Sequence, residues 1–304
     1  MQNLLLLLGC LIAGVLLRRS GRVAEGGHGV INVVIIHISL PALTLRHLHG
    51  VHIGTDALAP VLMPWLLFGI GALLFWGIGR VLRLPRATVG ALTLVGGFGN
   101  TSFVGLPMIE SLHGRDGLGL GLLIDQLGSY LALSTVGALA ATLYGAETRP
   151  CAVAMLRKVA SFPPFIALLV ALLLTPVAFP PAVDAALARI GDTLAPLALL
   201  SVGMQLRFDA LREHAQALYL GLGYKLLLCP ALVVGLLWLL DAEPGTVSNV
   251  SVIEAAMPPM IGAGIVAAQA RLNAPLVSLM IGLGIPLGLV TATGWHWMHD
   301  KLIG

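Results

Sequence analysis

Hydrophobic positions in this chain run in blocks rather than alternating with polar ones. The blocks cover approximately 3–18, 29–48, 57–80, 88–112, 117–144, 160–180, 185–206, 214–240, 246–270 and 275–298. Most reach the roughly 20 residues that a helix needs to cross a hydrocarbon core of about 30 Å, so the pattern predicts ten membrane-spanning helices. Two blocks carry helix-breaking residues at their middle. Gly96-Gly97-Phe98-Gly99-Asn100-Thr101 divides 88–112, and Met257-Pro258-Pro259-Met260 divides 246–270. Each half is then about 16 Å long at helical rise, which puts both breaks near the bilayer midplane. Lipid cannot hydrogen-bond an open backbone, so such breaks must be buried in protein or line a wet cavity. A pair at corresponding places in two halves is a pointer to the binding site of a secondary transporter.

Composition agrees about the solvent. With 58% hydrophobic and 10% charged residues and a mean hydropathy of +0.95, the chain is expected to be an integral, multi-pass membrane protein. Its net charge of +3 is no nucleic-acid signal, because the basic residues sit in short loops between blocks. Arg18, Arg19, Arg22, Arg80, Arg83, Arg86, Arg149, Arg157, Lys158, Arg207, Arg212 and Arg271 fall on one side. Arg46, Arg115, Arg189 and Lys301 fall on the other. The positive-inside rule then sends both termini outward across the cell's inner, or plasma, membrane. Cys10, Cys151 and Cys229 are far apart and suggest no disulfide framework. Leu7-Leu8-Gly9-Cys10 is similar to a lipoprotein cleavage box, but no basic segment precedes it and the apolar run continues to Arg18, so a first span is expected instead.

Division near residue 145 gives two sets of five blocks, 1–145 and 146–304, with the loop at 147–150 as the natural boundary. Pro41 in the second block corresponds to Pro196 in the seventh, and Thr88-Val89 to Thr246-Val247. Five is odd, so the second copy enters the membrane from the opposite face and the repeats are inverted.

Three segments carry a resemblance to a known family. Gly97-Phe98-Gly99-Asn100-Thr101-Ser102-Phe103-Val104-Gly105-Leu106-Pro107, the run from Pro196 to Met204, and Glu254-Ala255-Ala256-Met257-Pro258-Pro259 resemble the auxin efflux carrier family, related in fold to sodium/bile-acid symporters. The resemblance implies an all-α membrane fold in which the broken fourth and ninth helices cross beside the substrate site. It implies a scaffold of helices 1, 2, 6 and 7, a moving transport domain of helices 3, 4, 5, 8, 9 and 10, and a homodimer through the scaffold. It does not fix the substrate.

The residues at the breaks have readable chemistry. Pro258 and Pro259 lack N–H groups, so the carbonyls of Glu254 and Ala255 lose their helical donors and are free for a cation or water. Asn100 can donate and accept at once. Half-helices starting near Thr101 and Met260 aim partial positive charge at the crossing, which suits an anion. An ionised group at a helix centre costs roughly 2.5–3.5 kcal/mol on the insertion scale, so each one needs a partner, a cavity or a proton. Glu254, one turn before the prolines, is the leading coupling residue; in the related symporters the matching acid helps to hold sodium, and here the ion is sodium or a proton. Asp125, Gln126, Ser129 and Tyr130 make a polar stripe expected to face the crossing, with interhelical hydrogen bonding as the alternative. Lys225, deep in the eighth span, pairs with Asp125 or Glu254 or binds a substrate carboxylate.

Other polar residues read as structural. His37 faces the scaffold interior or the cavity, His47, His49 and His52 form a solvated loop cluster, and Arg115 with Asp116 is a loop pair. Gly69, Gly71, Gly77 and Gly79 suit close helix packing. Ser129 and Ser134 have no histidine and acid beside them, so catalysis is not expected. The expectation is a secondary transporter, symporter or uniporter of a small organic anion, with no nucleic-acid partner and no cofactor beyond a sodium ion or proton. Its substrate residues are Asn100, Thr101, Ser102, Lys225, Pro258, Pro259 and Met260, and its coupling residues Glu254, Asp125, Gln126 and Ser129. A membrane sensor or channel on the same scaffold is the alternative.

Overall fold

The computed structural model describes residues 2–24, 26–49, 54–145, 152–206 and 213–302. Cys151, the 147–150 boundary, Arg149, Arg207, Arg212 and His52 lie outside the described residues. The described chain is helical throughout, as a lipid solvent requires, since a helix satisfies its backbone within one segment. In order the helices are α1 (Gln2–Arg19), α2 (His28–Leu48), α3 (Thr55–Val81), α4 (86–96), α5 (101–112), α6 (Arg115–Tyr144) and α7 (Ala152–Ala160). They continue as α8 (Pro163–Leu173), α9 (Pro181–Gln205), α10 (Ala215–Leu239), α11 (Thr246–Ala255), α12 (Ile261–Gln269) and α13 (Ala274–Leu302).

Among the described residues six helices, α2, α3, α6, α9, α10 and α13, are long and apolar enough to cross a membrane, and α7 with α8 makes a seventh if the bent pair is one span. Length and composition therefore establish a multi-span helical protein with fewer certain crossings than the ten read from the sequence. The sixth block departs most from expectation. Instead of one helix over 160–180, α7 and α8 meet at an angle of 64°. Pro163 and Pro164 explain the bend, because Pro disfavours helical geometry in the residue before it, and Phe162 is extended at φ −75°, ψ 117°.

A feature unseen in the sequence is the wide winding of several helices. Residues Ile35–Ser39, Leu92–Gly96, Thr101–Gly105, Ile124–Tyr130, Leu133–Gly137 and Tyr224–Leu228 form π-helical turns. Three of these runs end two residues before a proline, Pro41, Pro107 or Pro230. A proline ring crowds the preceding turn and removes a donor, and widening that turn relieves both.

Close approaches are made through glycine. At the contact of α1 with α9, a Cβ on Gly14 would strike the Leu200 carbonyl and one on Gly203 the Leu11 carbonyl, so the two backbones touch directly. α2 packs on α8 and α9, and Ser39 joins Thr193 at 2.8 Å. In α3, Gly71 admits the Tyr224 ring and Gly79 the Val89 side chain. Gly69 and Gly77 instead face open space, contrary to the packing expected of them.

Candidate functional site

The two breaks find each other. Helix α4 opens at Phe98–Asn100 and α11 opens after Ala255, and the open strands pair as a single antiparallel bridge between Gly99 and Pro259. Asn100 N–H donates to the Pro258 carbonyl at 2.8 Å, and Met260 N–H donates to the Phe98 carbonyl at 3.0 Å. Gly99 and Pro259 are thus the non-hydrogen-bonded pair of the bridge, where an N–H is not used, so proline costs the ladder nothing. Glycine is needed opposite it, because a Cβ on Gly99 would lie 3.1 Å from Lys225 Nζ and 3.4 Å from Met257 Cβ. On the far side Gly284 and Gly288 of α13 receive the rings of Pro259 and Pro258. That Gly-x-x-x-Gly spacing is visible in the sequence and was the available signal for these packing partners.

Around the bridge the polar groups divide into three sets. In the first, Asn100 caps α5 by accepting from Phe103 N–H through Oδ1 at 3.2 Å. Its Nδ2 has no partner among the described residues although Asn100 is only 2% exposed. The next two residues close on Asp125, whose Oδ1 accepts from Thr101 Oγ1 at 2.6 Å and also from Ser102 Oγ. Two hydroxyl donors thus tie Asp125 to the start of α5.

The second set belongs to the other break. Pro259 leaves the Ala255 carbonyl without a helical donor, and Lys225 Nζ fills the place at 3.1 Å. The Glu254 carbonyl takes Met257 N–H at 3.2 Å instead. Lys225 is buried, and no ion pair within 4.0 Å links it to Asp125 or Glu254 among the described residues. Glu254 is equally buried, with neither carboxylate oxygen hydrogen-bonded among the described residues. Those oxygens press on Gly105, whose added Cβ would sit 2.6 Å from Oε2.

The third set turns away from the bridge. Gln126 Nε2 donates to Thr44 Oγ1 of α2 at 2.7 Å, and Tyr130 OH donates to the Lys158 carbonyl while its ring stacks on Phe162. Ser129 is buried without a partner among the described residues. The stripe expected to face one crossing is therefore split, since adjacent residues on a helix point about 100° apart. Asp125 goes to the break, whereas Gln126 and Tyr130 tie α6 to α2 and α7. Thr44 was not singled out beforehand, because a lone threonine near a helix end carries no distinguishing signal.

Other residues are also relocated. His37 is exposed, facing neither interior nor cavity, and its Nδ1 lies 3.0 Å from the Val33 carbonyl of its own helix. His49 is no free loop side chain, since Nε2 lies 2.9 Å from the Leu174 carbonyl and its ring stacks on Phe179. Arg115 pairs with Glu110 at 2.9 Å and Asp192 at 3.0 Å rather than with Asp116. Among the described residues no group of His, Cys, Asp and Glu has the makings of a metal site.

Two cavities open at opposite ends of α2. One, of about 440 Å³, is lined by Arg18, His28, Gln205, Ser278 and Ile261, the last beside the second break. The other, of about 540 Å³, is lined by Arg46, His47, Asp56, Arg115 and Thr246. Both fall in the size range of small-molecule sites, roughly 300–1,000 Å³. The sequence model of a family described as "membrane transport protein" matches residues 1–296. The chain belongs to this auxin efflux carrier family. An uncharacterized transporter of Methanothermobacter thermautotrophicus is 26% identical over 301 residues, which is 97% of this chain and 96% of that protein. An uncharacterized transporter of Methanocaldococcus jannaschii is 22% identical over 307 residues, 98% of each. Similarity to these two transporters covers 97% and 98% of this chain.

Proposed function

We propose that this membrane transport protein is a secondary transporter of a small organic anion, working by alternating access at the paired breaks. The observation that carries the reading is the bridge itself: two opened helices bonded to each other, with Asn100, Asp125, Lys225 and Glu254 buried around them. Opened backbone inside a bilayer persists only where protein buries it or a wet cavity borders it, and breaks paired in this way are a pointer to a transporter's binding site. Lys225 gives an anion a fixed counter-charge, the free Asn100 amide donates to it, and Thr101, Ser102, Pro258, Pro259 and Met260 shape its surroundings. Glu254 and Asp125 then set the coupling, with Gln126 and Ser129 on the same helix linking it to movement.

In this proposal the chain crosses ten times as two inverted five-helix repeats, α4–α5 and α11–α12 being the fourth and ninth spans. Helices α1, α2, α7–α8 and α9 form the fixed scaffold and a homodimer face, and the rest move. Direct backbone contact of α1 with α9 and the packing of α2 on α8 and α9 support one rigid group. The distribution of basic residues among the loops supports an orientation with both termini outside the inner membrane. The two cavities support access from alternate sides.

Reconstitution into liposomes and uptake of a panel of carboxylates, under imposed sodium or pH gradients, tests the reading. Saturable uptake that is impaired in Asn100→Ala is expected. A channel would instead pass steady current without saturating, and a sensor would bind substrate without moving it; either result overturns the transporter.

A further inference from the structure

We propose that the Lys225 ammonium is a built-in cation of the paired break, holding the carbonyl that a sodium ion would otherwise take, so that this site binds no sodium. The proposal deepens the transporter reading and rests on it for its consequence, which is coupling without sodium.

A hard cation is held by oxygens, chiefly carboxylates and backbone carbonyls. A proline pair one turn after a buried acid makes such a site by stripping carbonyls of their helical donors. Here that promise is used up internally. The Ala255 carbonyl accepts from Lys225 Nζ at 3.1 Å, and the Glu254 carbonyl accepts from Met257 N–H. The Pro258 carbonyl is spent on Asn100 N–H and the Phe98 carbonyl on Met260 N–H. Of the oxygens of Glu254 and Ala255, those left are the two of the Glu254 carboxylate, which lack partners among the described residues.

Charge points the same way. Lys225 is 2% exposed, so its ammonium is not relieved by water and lies where a second, mobile cation would have to settle beside it. Like charges in a buried site oppose each other far more than in solution. The location is fixed rather than incidental, because Gly99 leaves room for the Lys225 side chain that any Cβ would invade at 3.1–3.2 Å. A tethered ammonium also differs from a sodium ion in one functional respect: it cannot leave with the substrate. It stays with the protein in every stage of a cycle and carries no gradient.

The test needs no knowledge of the substrate. Radiosodium binding and melting temperature are measured on the purified full-length protein in sodium chloride and in choline chloride at equal ionic strength. Wild type and Lys225→Arg are expected to show no saturable sodium binding and equal melting temperatures in the two salts. Lys225→Ala and Lys225→Gln are expected to gain sodium-specific stabilisation, with a sodium affinity at least tenfold above that of wild type. Saturable binding to wild type overturns the proposal, and so does a folded neutral variant that gains none. If neither neutral variant folds, wild type and Lys225→Arg decide, since binding to either refutes the tethered cation and absence from both supports it. Sodium binding to wild type would leave the transporter reading standing, whereas failure of carboxylate uptake without sodium binding would remove that reading and leave the tethered cation.

Discussion

Asn100 has two jobs that substitution can separate. Its Oδ1 caps α5 through Phe103 N–H, and its buried Nδ2 has no partner among the described residues. Loss of the cap costs about 0.5–2 kcal/mol, so Asn100→Ala should fold, melt somewhat lower, and lose substrate affinity. Asn100→Asp keeps an acceptor for the cap but presents a carboxylate where the free amide was. It should recover melting temperature without recovering affinity; equal affinity in both variants and wild type would remove the amide from the site. Glu254 offers a second test. Glu254→Gln keeps the size of the side chain and loses the charge, so it should bind and exchange substrate across vesicles yet fail to concentrate it. Accumulation equal to wild type would make Glu254 a structural acid and pass coupling to Asp125. For Lys225 and Asp125, separated by more than ion-pair distance, a double-mutant cycle in melting free energy should show coupling below about 0.5 kcal/mol. A larger interaction would mean that the two charges meet in another state of the protein.

At the scale of elements, the protein replaces two helical midpoints by one short antiparallel bridge. Glycine and proline share that bridge because one permits close approach and the other occupies a position with no ladder bond to lose. The contact of α1 with α9 depends on a different glycine pair, with Gly14 and Gly203 each against the other helix's backbone. A side chain there has nowhere to go, because the obstacle is backbone and cannot rotate away. Gly203→Val should destabilise by at least about 1–3 kcal/mol, the usual cost of overpacking, and should part α1 from α9. A thermal melt of the purified protein reads this directly; an unchanged midpoint would show that the two helices are not locked.

At the scale of the whole molecule, α6 is where the proposed moving part meets the proposed scaffold. Its polar contacts reach α2 through Gln126 and Thr44, α7 through Tyr130 and the Lys158 carbonyl, and α9 through Arg115 and Asp192. The Arg115–Asp192 pair is half exposed on both sides, and such pairs contribute about 1 kcal/mol or less. Arg115→Ala should therefore leave the melting temperature nearly unchanged while altering the rate of substrate exchange, if α6 slides during transport. An unchanged exchange rate would make the pair a static surface contact. The direction of insertion is testable separately: a cysteine introduced at Arg83 should react with an impermeant thiol reagent only from the cytoplasmic side, and one at Glu243 only from outside.

The sequence by itself determined the solvent, the helical class, the approximate ends of most blocks and the place of both breaks. These follow from local composition, because an apolar run of fixed length, a glycine cluster or a proline pair acts on its own segment of backbone. It also marked Asn100, Asp125, Lys225 and Glu254 as polar groups too costly to be idle in a span. Only the tertiary structure decided who meets whom. That the freed Ala255 carbonyl would be taken by Lys225, that Gln126 would leave Asp125 for Thr44, and that Arg115 would choose Asp192 over its neighbour Asp116 all depend on which helices lie side by side. The bend at Phe162 and the π-helical turns lay between these cases, local in cause but visible only once packing had fixed how each proline is accommodated. A hydrogen bond is settled by distances between chain-distant atoms, and no single segment carries that information.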